Sequence, residues 1–374
     1  MNQVCLDAWT PSGQVSARLQ GALGVLELTR LEAMNALTLG MVRDLTHALR
    51  QWAQASEVQA VVILGRPDCR GRPVFSAGGD VRFLHQAARQ NPSELEAFFN
   101  EEYALNHLVH HYAKPVLALL DGPALGGGLG LAQGAKLRVV NERSQLAMPE
   151  TRIGLVPDVG SNAWLSQLPG RLGEWLSVTG QALSAGDAIE LGLADVFVPA
   201  ADWDAMVREL LTGHQPHAEH VVATVMERAA LAPMPQQLGH RAAIDRHFGQ
   251  ASLADILRSM AEEPDSPWAL ATRAQLASNS PLMMAVGLAL VRRSRGLSLA
   301  DTLRLERSVM QHAWTPGMRG EPCEALEGIR ALNIDKDHAP RWQPADVAGV
   351  HADAVEAFFA DVWVPAAHPL AALI

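Results

Sequence analysis

The chain has 374 residues, of which 48% are hydrophobic and 19% charged, and its formal net charge is −10. This length and composition are those of an ordinary globular protein, which excludes a disordered chain, a fibrous repeat and a disulfide-stapled mini-protein. Binding to nucleic acid needs clustered cations, and the sequence has no polybasic run, so no nucleic-acid partner is expected.

The cysteines and the apolar segments indicate the compartment. Cys5, Cys69 and Cys323 are far apart and form no CxxC pair, so neither a disulfide framework nor a cysteine-based metal site is expected. The start of the chain lacks a basic n-region and an apolar h-region, and the apolar stretch near 115–132 is interrupted by Asp121. We therefore expect a cytoplasmic protein with no metal and no membrane partner.

The first 200 residues alternate between strand-like and helix-like segments. Strands are predicted at Val25–Thr29, Val58–Leu64, Val116–Leu120 and Leu137–Val140. Thr38 is predicted to cap a helix whose apolar face is Val42, Leu45, Leu49 and Trp52. This rhythm is typical of parallel strands joined by helical crossovers and predicts an α/β fold.

Beyond about residue 200, helical patterns dominate. They cover Trp203–Leu211, Ala218–Ala232, Leu253–Ala261, Pro281–Arg295, Ser298–Ala313 and Asp353–Val362. The sequence therefore predicts an α/β core over residues 1–200 and a helical C-terminal region over residues 201–374.

Two glycine-rich segments follow predicted strands. They read FSAGGD at 75–80 and DGPALGGGLG at 121–130. Glycines at a strand-to-helix junction leave backbone N–H groups free to face a ligand, and two such junctions could form an oxyanion hole. The alternative is that the glycines only allow tight turns. Neither segment has the spacing of a phosphate-binding loop.

A third segment, MPETRIGLVPDVG at 148–160, carries two carboxylates eight residues apart. Its prolines and glycines rule out one regular helix, so Glu150 and Asp158 could both reach a site from an irregular loop. A carboxylate near an oxyanion hole can act as general base, nucleophile or proton donor. Otherwise, each is a helix cap or a solvated loop residue.

The ordered set of these segments resembles the crotonase (enoyl-CoA hydratase/isomerase) superfamily. The matching stretches include LTRLEAMNALTLGMV, FSAGGDVRFL, EEYALNHLV, AKPVLALLDGPALGGGLGLA, LAMPETRIGLVPDVG and, far downstream, EGIRALNIDKDHAPRW. The resemblance covers roughly residues 15 to 360. It implies a crotonase-like ββα spiral core with an extended helical C-terminal region.

The resemblance assigns catalytic roles to four positions. The two oxyanion donors of crotonases match the backbone N–H groups of Gly79 and Gly127, which would hold a thioester carbonyl oxygen. The acidic residue of the PE dipeptide matches Glu150, and a carboxylate used by the hydrolase branch of the superfamily matches Asp158.

Substrate binding is implied for a partly overlapping set of residues. Glu102, in the EEY segment, and Asp158 would surround a β-hydroxyl on the acyl group. Gly78 and Gly127 are expected to contact the substrate through the backbone. For the phosphates of coenzyme A, the candidate side chains are Arg82, Arg330 and Lys336.

Gly130 separates two enzyme activities. Hydratases of the superfamily carry a second catalytic glutamate at this position, whereas the hydrolase branch does not. We therefore expect thioester hydrolysis rather than hydration. The resemblance to the hydrolase branch implies a short β-hydroxyacyl-CoA as the substrate, namely 3-hydroxyisobutyryl-CoA of valine breakdown. The alternatives are an enoyl-CoA hydratase or isomerase and a non-catalytic crotonase-like binding protein. No cofactor is expected beyond the coenzyme A of the substrate, and a homo-oligomer is possible.

Overall fold

The computed structural model describes residues 8–212 and 217–374, and Cys5 lies outside them. Two compact units can be distinguished. The first comprises the described parts of Met1–Gly79, Ala104–Leu146 and Leu183–Gln236. The second comprises Asp80–Tyr103, Ala147–Ala182 and Gln237–Ile374.

The first unit is built on a mainly parallel sheet. The strands of the described chain are β1 (Val15–Gln20), β2 (Leu23–Leu28), β3 (Ala60–Gly65), β4 (Val116–Leu120), β5 (Pro123–Leu125), β6 (Leu137–Val140), β7 (Gln145–Ala147) and β8 (Val196–Phe197). Six of them form one sheet in the order β1-β2-β3-β4-β6-β8, and β5 pairs with β7 in a small second sheet. Only the β1–β2 pair of the large sheet is antiparallel.

Burial explains the composition of these strands. Every residue of β2 and β4 is buried, as expected for strands covered on both faces, whereas β1 at the edge alternates. Parallel pairing sets Val25 beside Val62 and Ile63 beside Ala118. One face of the sheet forms a core with Trp203, Met206 and Val221 from two later helices.

The α-helices of the described chain are α1 (Leu39–Gln54), α2 (Val81–Gln90), α3 (Pro92–His110), α4 (Gly127–Gln133), α5 (Ser161–Leu165), α6 (Leu172–Thr179), α7 (Ala185–Glu190), α8 (Ala200–Thr212), α9 (Ala218–Met226), α10 (Arg241–Phe248), α11 (Leu253–Ala261), α12 (Pro267–Leu276), α13 (Pro281–Arg293), α14 (Leu299–Met318), α15 (Glu324–Ile329) and α16 (Ala352–Glu356). Short 3-10 turns and one π-helical turn, Arg330–Ile334, complete the helical structure.

The α/β core and the helical C-terminal region are both present, but the compact units do not follow the boundary at residue 200. Helices α8 and α9 pack on the sheet and so belong to the first unit. Residues 147–182 instead belong with the C-terminal helices, because α6 packs against α13. The units therefore combine segments that are distant in the chain.

Most of the predicted elements are confirmed, and two are wrong in extent. Thr38 caps α1 by accepting a hydrogen bond from the Met41 N–H at 3.2 Å. The helix predicted over Ala218–Ala232 ends at Met226, since Ala230 pairs with Phe197 instead. The helix predicted over Asp353–Val362 is reduced to α16 and a 3-10 turn.

No single helix of the described chain is long and apolar enough to cross a membrane, although α12 and α13, bent by 109°, together pass a test of length and composition.

Candidate active site

The two glycine-rich segments lie side by side in the first unit. Ser76 forms a parallel β-bridge with Ala124, and the Leu125 N–H donates to the Ser76 carbonyl at 3.0 Å. Helix α4 comes so close that a Cβ on Gly128 would lie 2.5 Å from the Ser76 Cβ. Only glycine allows this approach, so Gly128 fixes the start of α4 against the first segment.

Gly78 is the second position that requires glycine. Its φ is +93°, and a Cβ there would lie 2.9 Å from the Leu125 carbonyl oxygen and 3.4 Å from the Gly127 nitrogen. The Ser76 hydroxyl accepts a hydrogen bond from the Gly78 N–H at 3.2 Å. The turn before Gly79 is therefore held against the N-terminal end of α4.

The expected donors lie next to these contacts. Gly127 is the first residue of α4, where N–H groups have no partner within the helix. Within the described residues, neither the Gly79 N–H nor the Gly127 N–H donates to another protein group. Two free backbone donors on adjacent turns are the kind of groups that an oxyanion hole needs.

Glu150 begins a 3-10 turn, Glu150–Ile153, in the second unit. The next residue anchors this turn, because the Thr151 hydroxyl donates to the Val178 carbonyl at 3.2 Å and accepts from the Asn279 amide at 3.1 Å. The Ser280 N–H donates to the Thr151 carbonyl at 2.9 Å. Buried Glu150 is thus held by a turn that is fixed on both sides.

Asp158 lies in the irregular loop that follows, as the prolines and glycines predicted. Its Oδ2 accepts a hydrogen bond from the Tyr103 hydroxyl at 2.6 Å, and both side chains are buried. Val159 has a φ of +56°, which is strained for a β-branched residue, and strain of this kind is typical of functional sites. The loop then enters the short helix α5 through Gly160.

Glu102 comes from α3, on a stripe of buried residues that also includes Leu95, Phe99 and Val109. The Glu102 Oε1 atom and the Glu150 Oε2 atom are both buried, and neither has a hydrogen-bond donor among the described residues. Unpaired buried carboxyl oxygens are costly, so they need an explanation. A substrate hydroxyl or a water molecule is the kind of donor that would satisfy them.

These acids influence one another. Burial, reinforced by the charge of Asp158, holds the pKa values of Glu102 and Glu150 well above the usual carboxyl range. Burial also raises the pKa of Asp158 to about 7, although the hydrogen bond from Tyr103 acts in the opposite direction. A group of interacting acids with raised pKa values is typical of an acid–base site.

Three further residues of this site received no role from the sequence. Besides Tyr103, they are Glu306 and Arg307, consecutive and buried on α14. The guanidinium of Arg307 lowers the pKa of Asp158 and donates to the Asn100 amide oxygen at 2.6 Å. One signal was available, because Glu306 interrupts an apolar stripe that contains Leu303 and Met310.

The three side chains that were candidates to bind the phosphates of coenzyme A differ in how far they are already engaged by other groups. Arg330 is engaged by three carboxylates, since it pairs with Glu327, Asp335 and Asp337 at 2.7–2.8 Å. Arg82 and Lys336 are exposed.

In the described part of the chain, no three His, Cys, Asp or Glu side chains are grouped to hold a metal ion.

The family model described as enoyl-CoA hydratase/isomerase matches residues 23–359. This chain therefore belongs to the enoyl-CoA hydratase/isomerase family. Its structure is similar to that of a carnitinyl-CoA dehydratase from Mycobacterium thermoresistibile, with a TM-score of 0.84, 34% identity and coverage of 93% of this chain and 97% of the other. It is also similar to that of an enoyl-CoA hydratase from Rhodobacter sphaeroides 2.4.1, with a TM-score of 0.81, 35% identity and coverage of 93% of this chain and 98% of the other. The crotonase-like fold is thus confirmed.

Curated relatives with a different name match over a similar length. The 3-hydroxyisobutyryl-CoA hydrolase, mitochondrial, of Danio rerio is 34% identical, with coverage of 91% of this chain and 88% of the relative. The protein of the same name from Homo sapiens is 32% identical, with coverage of 90% and 86%. The resemblance inferred from the sequence motifs therefore extends over nearly the whole chain.

Proposed function

We propose that this protein hydrolyses the thioester of a short β-hydroxyacyl-CoA, with 3-hydroxyisobutyryl-CoA as its substrate. The proposal rests first on the hydrolases that match about nine-tenths of the chain. The group of buried acids supports it, because Glu102 and Glu150 each have a buried carboxyl oxygen without a donor in the described chain.

In this proposal the thioester carbonyl oxygen accepts hydrogen bonds from the N–H groups of Gly79 and Gly127. Attack on the carbonyl carbon places negative charge on that oxygen, so both bonds strengthen in the transition state. Each such donor contributes about 3–4 kcal/mol in comparable sites.

Glu150 carries the proton transfer or the attack itself. In one route its carboxylate takes a proton from water while the water oxygen bonds to the carbonyl carbon. The same proton then passes to the coenzyme A sulfur as the carbon–sulfur bond breaks. In the other route, the carboxylate attacks the carbonyl carbon and expels the thiolate, and water then hydrolyses the anhydride. The raised pKa of Glu150 makes its carboxylate a stronger base than an exposed glutamate.

One turnover in oxygen-labelled water distinguishes these routes. The anhydride route allows label to enter the Glu150 side chain, whereas direct attack by water delivers it only to the released acid. Mass spectrometry of the peptide that contains Glu150 provides the measurement.

Glu102 and Asp158 provide the contacts for the β-hydroxyl group. Carboxyl groups can accept a hydrogen bond from an alcohol, and when protonated they can also donate one. Tyr103 holds Asp158 in one orientation through its 2.6 Å hydrogen bond. A substrate that carries the hydroxyl would satisfy buried oxygens that an unhydroxylated acyl chain leaves unpaired.

Hydration of an enoyl-CoA is the second candidate, because the two solved structures described above are named as a dehydratase and a hydratase. Addition of water across a double bond in this family uses a second glutamate, and that position is Gly130 here. Helix α4 has the sequence GGLGLAQ and contributes no carboxyl group. This difference favours hydrolysis.

A thiol-release assay tests the proposal. The substrates are 3-hydroxyisobutyryl-CoA, isobutyryl-CoA and crotonyl-CoA, with hydration of crotonyl-CoA followed separately by the loss of its enoyl absorbance. We expect thiol release to be fastest with 3-hydroxyisobutyryl-CoA and to be at least about 10²-fold slower in Glu150→Gln. Rapid hydration without thiol release would favour the second candidate. Tight RNA binding without turnover would favour a non-catalytic binding protein.

The setting of this reaction stays a prediction. A cytoplasmic location, the absence of a cofactor other than the substrate's own coenzyme A, and assembly into a homo-oligomer are proposed from the sequence and the family. The two curated relatives described above carry the word mitochondrial in their names. Fractionation of the source cells and light scattering of the purified protein test location and assembly.

A further inference from the structure

Glu306 is a completely buried glutamate on α14, and within the described chain its side-chain hydrogen bonds all reach the segment from Gly160 to Asn162, where the loop of Asp158 enters α5. Its Oε2 accepts from the Gly160 N–H at 2.6 Å, and its Oε1 accepts from the Asn162 N–H at 2.9 Å. The Asn162 side-chain amide adds a third donor at 2.8 Å. Three donors converge on one carboxylate that lies 144 to 146 residues away in sequence.

This loop carries Asp158. The Asn162 amide also donates to the Pro157 carbonyl at 2.7 Å, so the contacts that centre on Glu306 bracket Asp158 on both sides. Between them lies Val159, whose φ of +56° is unfavourable for a valine and needs surrounding structure to maintain it. Glu306 provides that support through the next residue, Gly160.

Packing alone does not explain a glutamate at this position. Burying a carboxylate is unfavourable, and an apolar side chain would continue the stripe of Leu303 and Met310. The hydrogen bonds of Glu306 go to Gly160, two residues after Asp158, and to Asn162 in the first turn of α5. The contacts therefore concern the loop and the orientation of its acid.

We propose that Glu306 is a positioning residue for the hydrolysis, which fixes the loop from Pro157 to Asn162 so that Asp158 stays against Tyr103. This inference rests on the proposed function, because it gives Asp158 a role in that reaction. Glu306 acts through the loop and does not itself touch the substrate.

The charge of Glu306 gives the proposal a signature that packing would not give. The titratable and charged groups that interact with it are Asp158 of the loop, Glu150 of the 3-10 turn and Tyr103 of α3, and Arg307 follows it on α14. Burial raises the pKa of Glu306 to about 8, and its charge contributes to the raised pKa of Glu150. Glu306 carries this charge only above about pH 8, so a neutral residue 306 should lower the pKa of Glu150 through its effect in that pH range.

The test compares Glu306→Gln and Glu306→Asp with a matched control, Glu174→Gln. Glu174 is also a buried glutamate of the second unit, but it pairs with Arg171 and Arg295 instead of the loop. In Glu306→Gln, one of the two carboxyl oxygens becomes an NH2 group that faces a backbone N–H. We expect kcat for 3-hydroxyisobutyryl-CoA to fall about 10-fold to 100-fold with little change in KM.

The pH profile and amide exchange decide whether the role is positioning. We expect the limb of kcat/KM that Glu150 sets to move to lower pH in Glu306→Gln, and to stay near the wild-type position in Glu306→Asp and Glu174→Gln. The Gly160 and Asn162 amides should exchange at least tenfold faster in Glu306→Gln than in Glu174→Gln. If kcat in Glu306→Gln stays within twofold of wild type and the limb of the pH profile does not move, the inference is overturned.

Failure of the proposed function is distinguishable from failure of this inference. A wild-type protein that releases no thiol from any acyl-CoA refutes the function. The exchange measurement still tests whether Glu306 fixes the loop in that case, because it needs no substrate. If the Gly160 and Asn162 amides exchange at the wild-type rate in Glu306→Gln, Glu306 does not fix the loop, whatever the activity of the variant.

Discussion

The two regions that we assign to catalysis are built in different ways. The glycine turns of the first unit use backbone N–H groups, and close contacts between neighbouring strands and turns hold them in place. The acids of the second unit come from α3, a 3-10 turn, a loop and α14, and they are brought together by tertiary packing. Backbone donors need no particular side chain, whereas the acids acquire their chemistry from burial and from one another. Substitutions in the two regions should therefore have different signatures.

The largest loss of activity is expected for Glu150→Gln, because it removes the proposed base or nucleophile. General base catalysis contributes about 10²-fold to 10⁴-fold to the rate, so kcat should fall by about 10²-fold or more. Steady-state thiol release measures the loss. The control Glu174→Gln should retain activity, and a Glu150→Gln enzyme with more than a tenth of wild-type kcat would contradict the assignment.

A smaller loss is expected for Gly78→Ala in the glycine turns. The new Cβ would press on the Leu125 carbonyl and displace the adjoining N–H of Gly79. Loss of one oxyanion donor costs about 10²-fold to 10³-fold in kcat, with no shift of the pH profile. Gly71→Ala is the matched control, since Gly71 also has a positive φ but has open space around its Cβ position. Equal effects of the two substitutions would show that backbone strain alone is responsible.

Tyr103→Phe should instead change the pH profile. The Tyr103 hydroxyl lowers the pKa of Asp158, so its removal should move the limb of kcat/KM that reports Asp158, as distinct from the limb that Glu150 sets, to higher pH. Profiles measured from pH 5 to 9 test this. Tyr112→Phe is the control, because the Tyr112 hydroxyl bonds the Leu49 carbonyl of the first unit. A limb that stays in place in Tyr103→Phe would remove the tyrosine from the account.

The smallest effect is expected for Asp158→Asn, on the way the free energy of unfolding depends on pH. Burial raises the pKa of Asp158 from its ordinary value of 3.8 to about 7, so the folded protein keeps a proton that the unfolded chain has lost. Its contribution is present at low pH and is lost as the pH rises from about 4 to 7. Asp158→Asn removes this loss. The free energy of unfolding of the variant, relative to wild type, should improve between pH 5 and 8 by up to a few kcal/mol.

Denaturant titrations at pH 5 and 8 measure this difference. Asp255→Asn is the control, because hydrogen bonds from Ser252 and Arg258 lower the pKa of Asp255. Folded and unfolded Asp255 therefore both lose their protons below pH 5, and its substitution should give the same difference at both pH values. A pH-independent difference for Asp158→Asn would mean that the acid is not held protonated by burial.

The difference between the regions also explains what the sequence could predict. Strands such as Val116–Leu120 and the cap at Thr38 follow from local patterns and are found as expected. The turn at Gly78 depends on residues within one short segment and its neighbour. Glu306 contacts a loop about 145 residues away, so no local pattern links it to Asp158. Its interruption of an apolar stripe was the only signal.

The boundary between the two units was equally hidden. A change from strands to helices near residue 200 is visible in the sequence, but the contact of α6 with α13 is a tertiary feature. Likewise, the interactions that raise the pKa values of Glu102 and Glu150 depend on burial that no single segment determines.

The central claim is that the buried acids recognise a β-hydroxyl during thioester hydrolysis. The most direct test is the ratio of kcat/KM for 3-hydroxyisobutyryl-CoA to that for isobutyryl-CoA, which differ only in that hydroxyl, in wild type and in Glu102→Gln. We predict a ratio of at least about 10² in wild type, because a site built to bond a hydroxyl rejects an analogue without it. The ratio should fall severalfold or more in Glu102→Gln. Equal kcat/KM for the two substrates in wild type would contradict the claim.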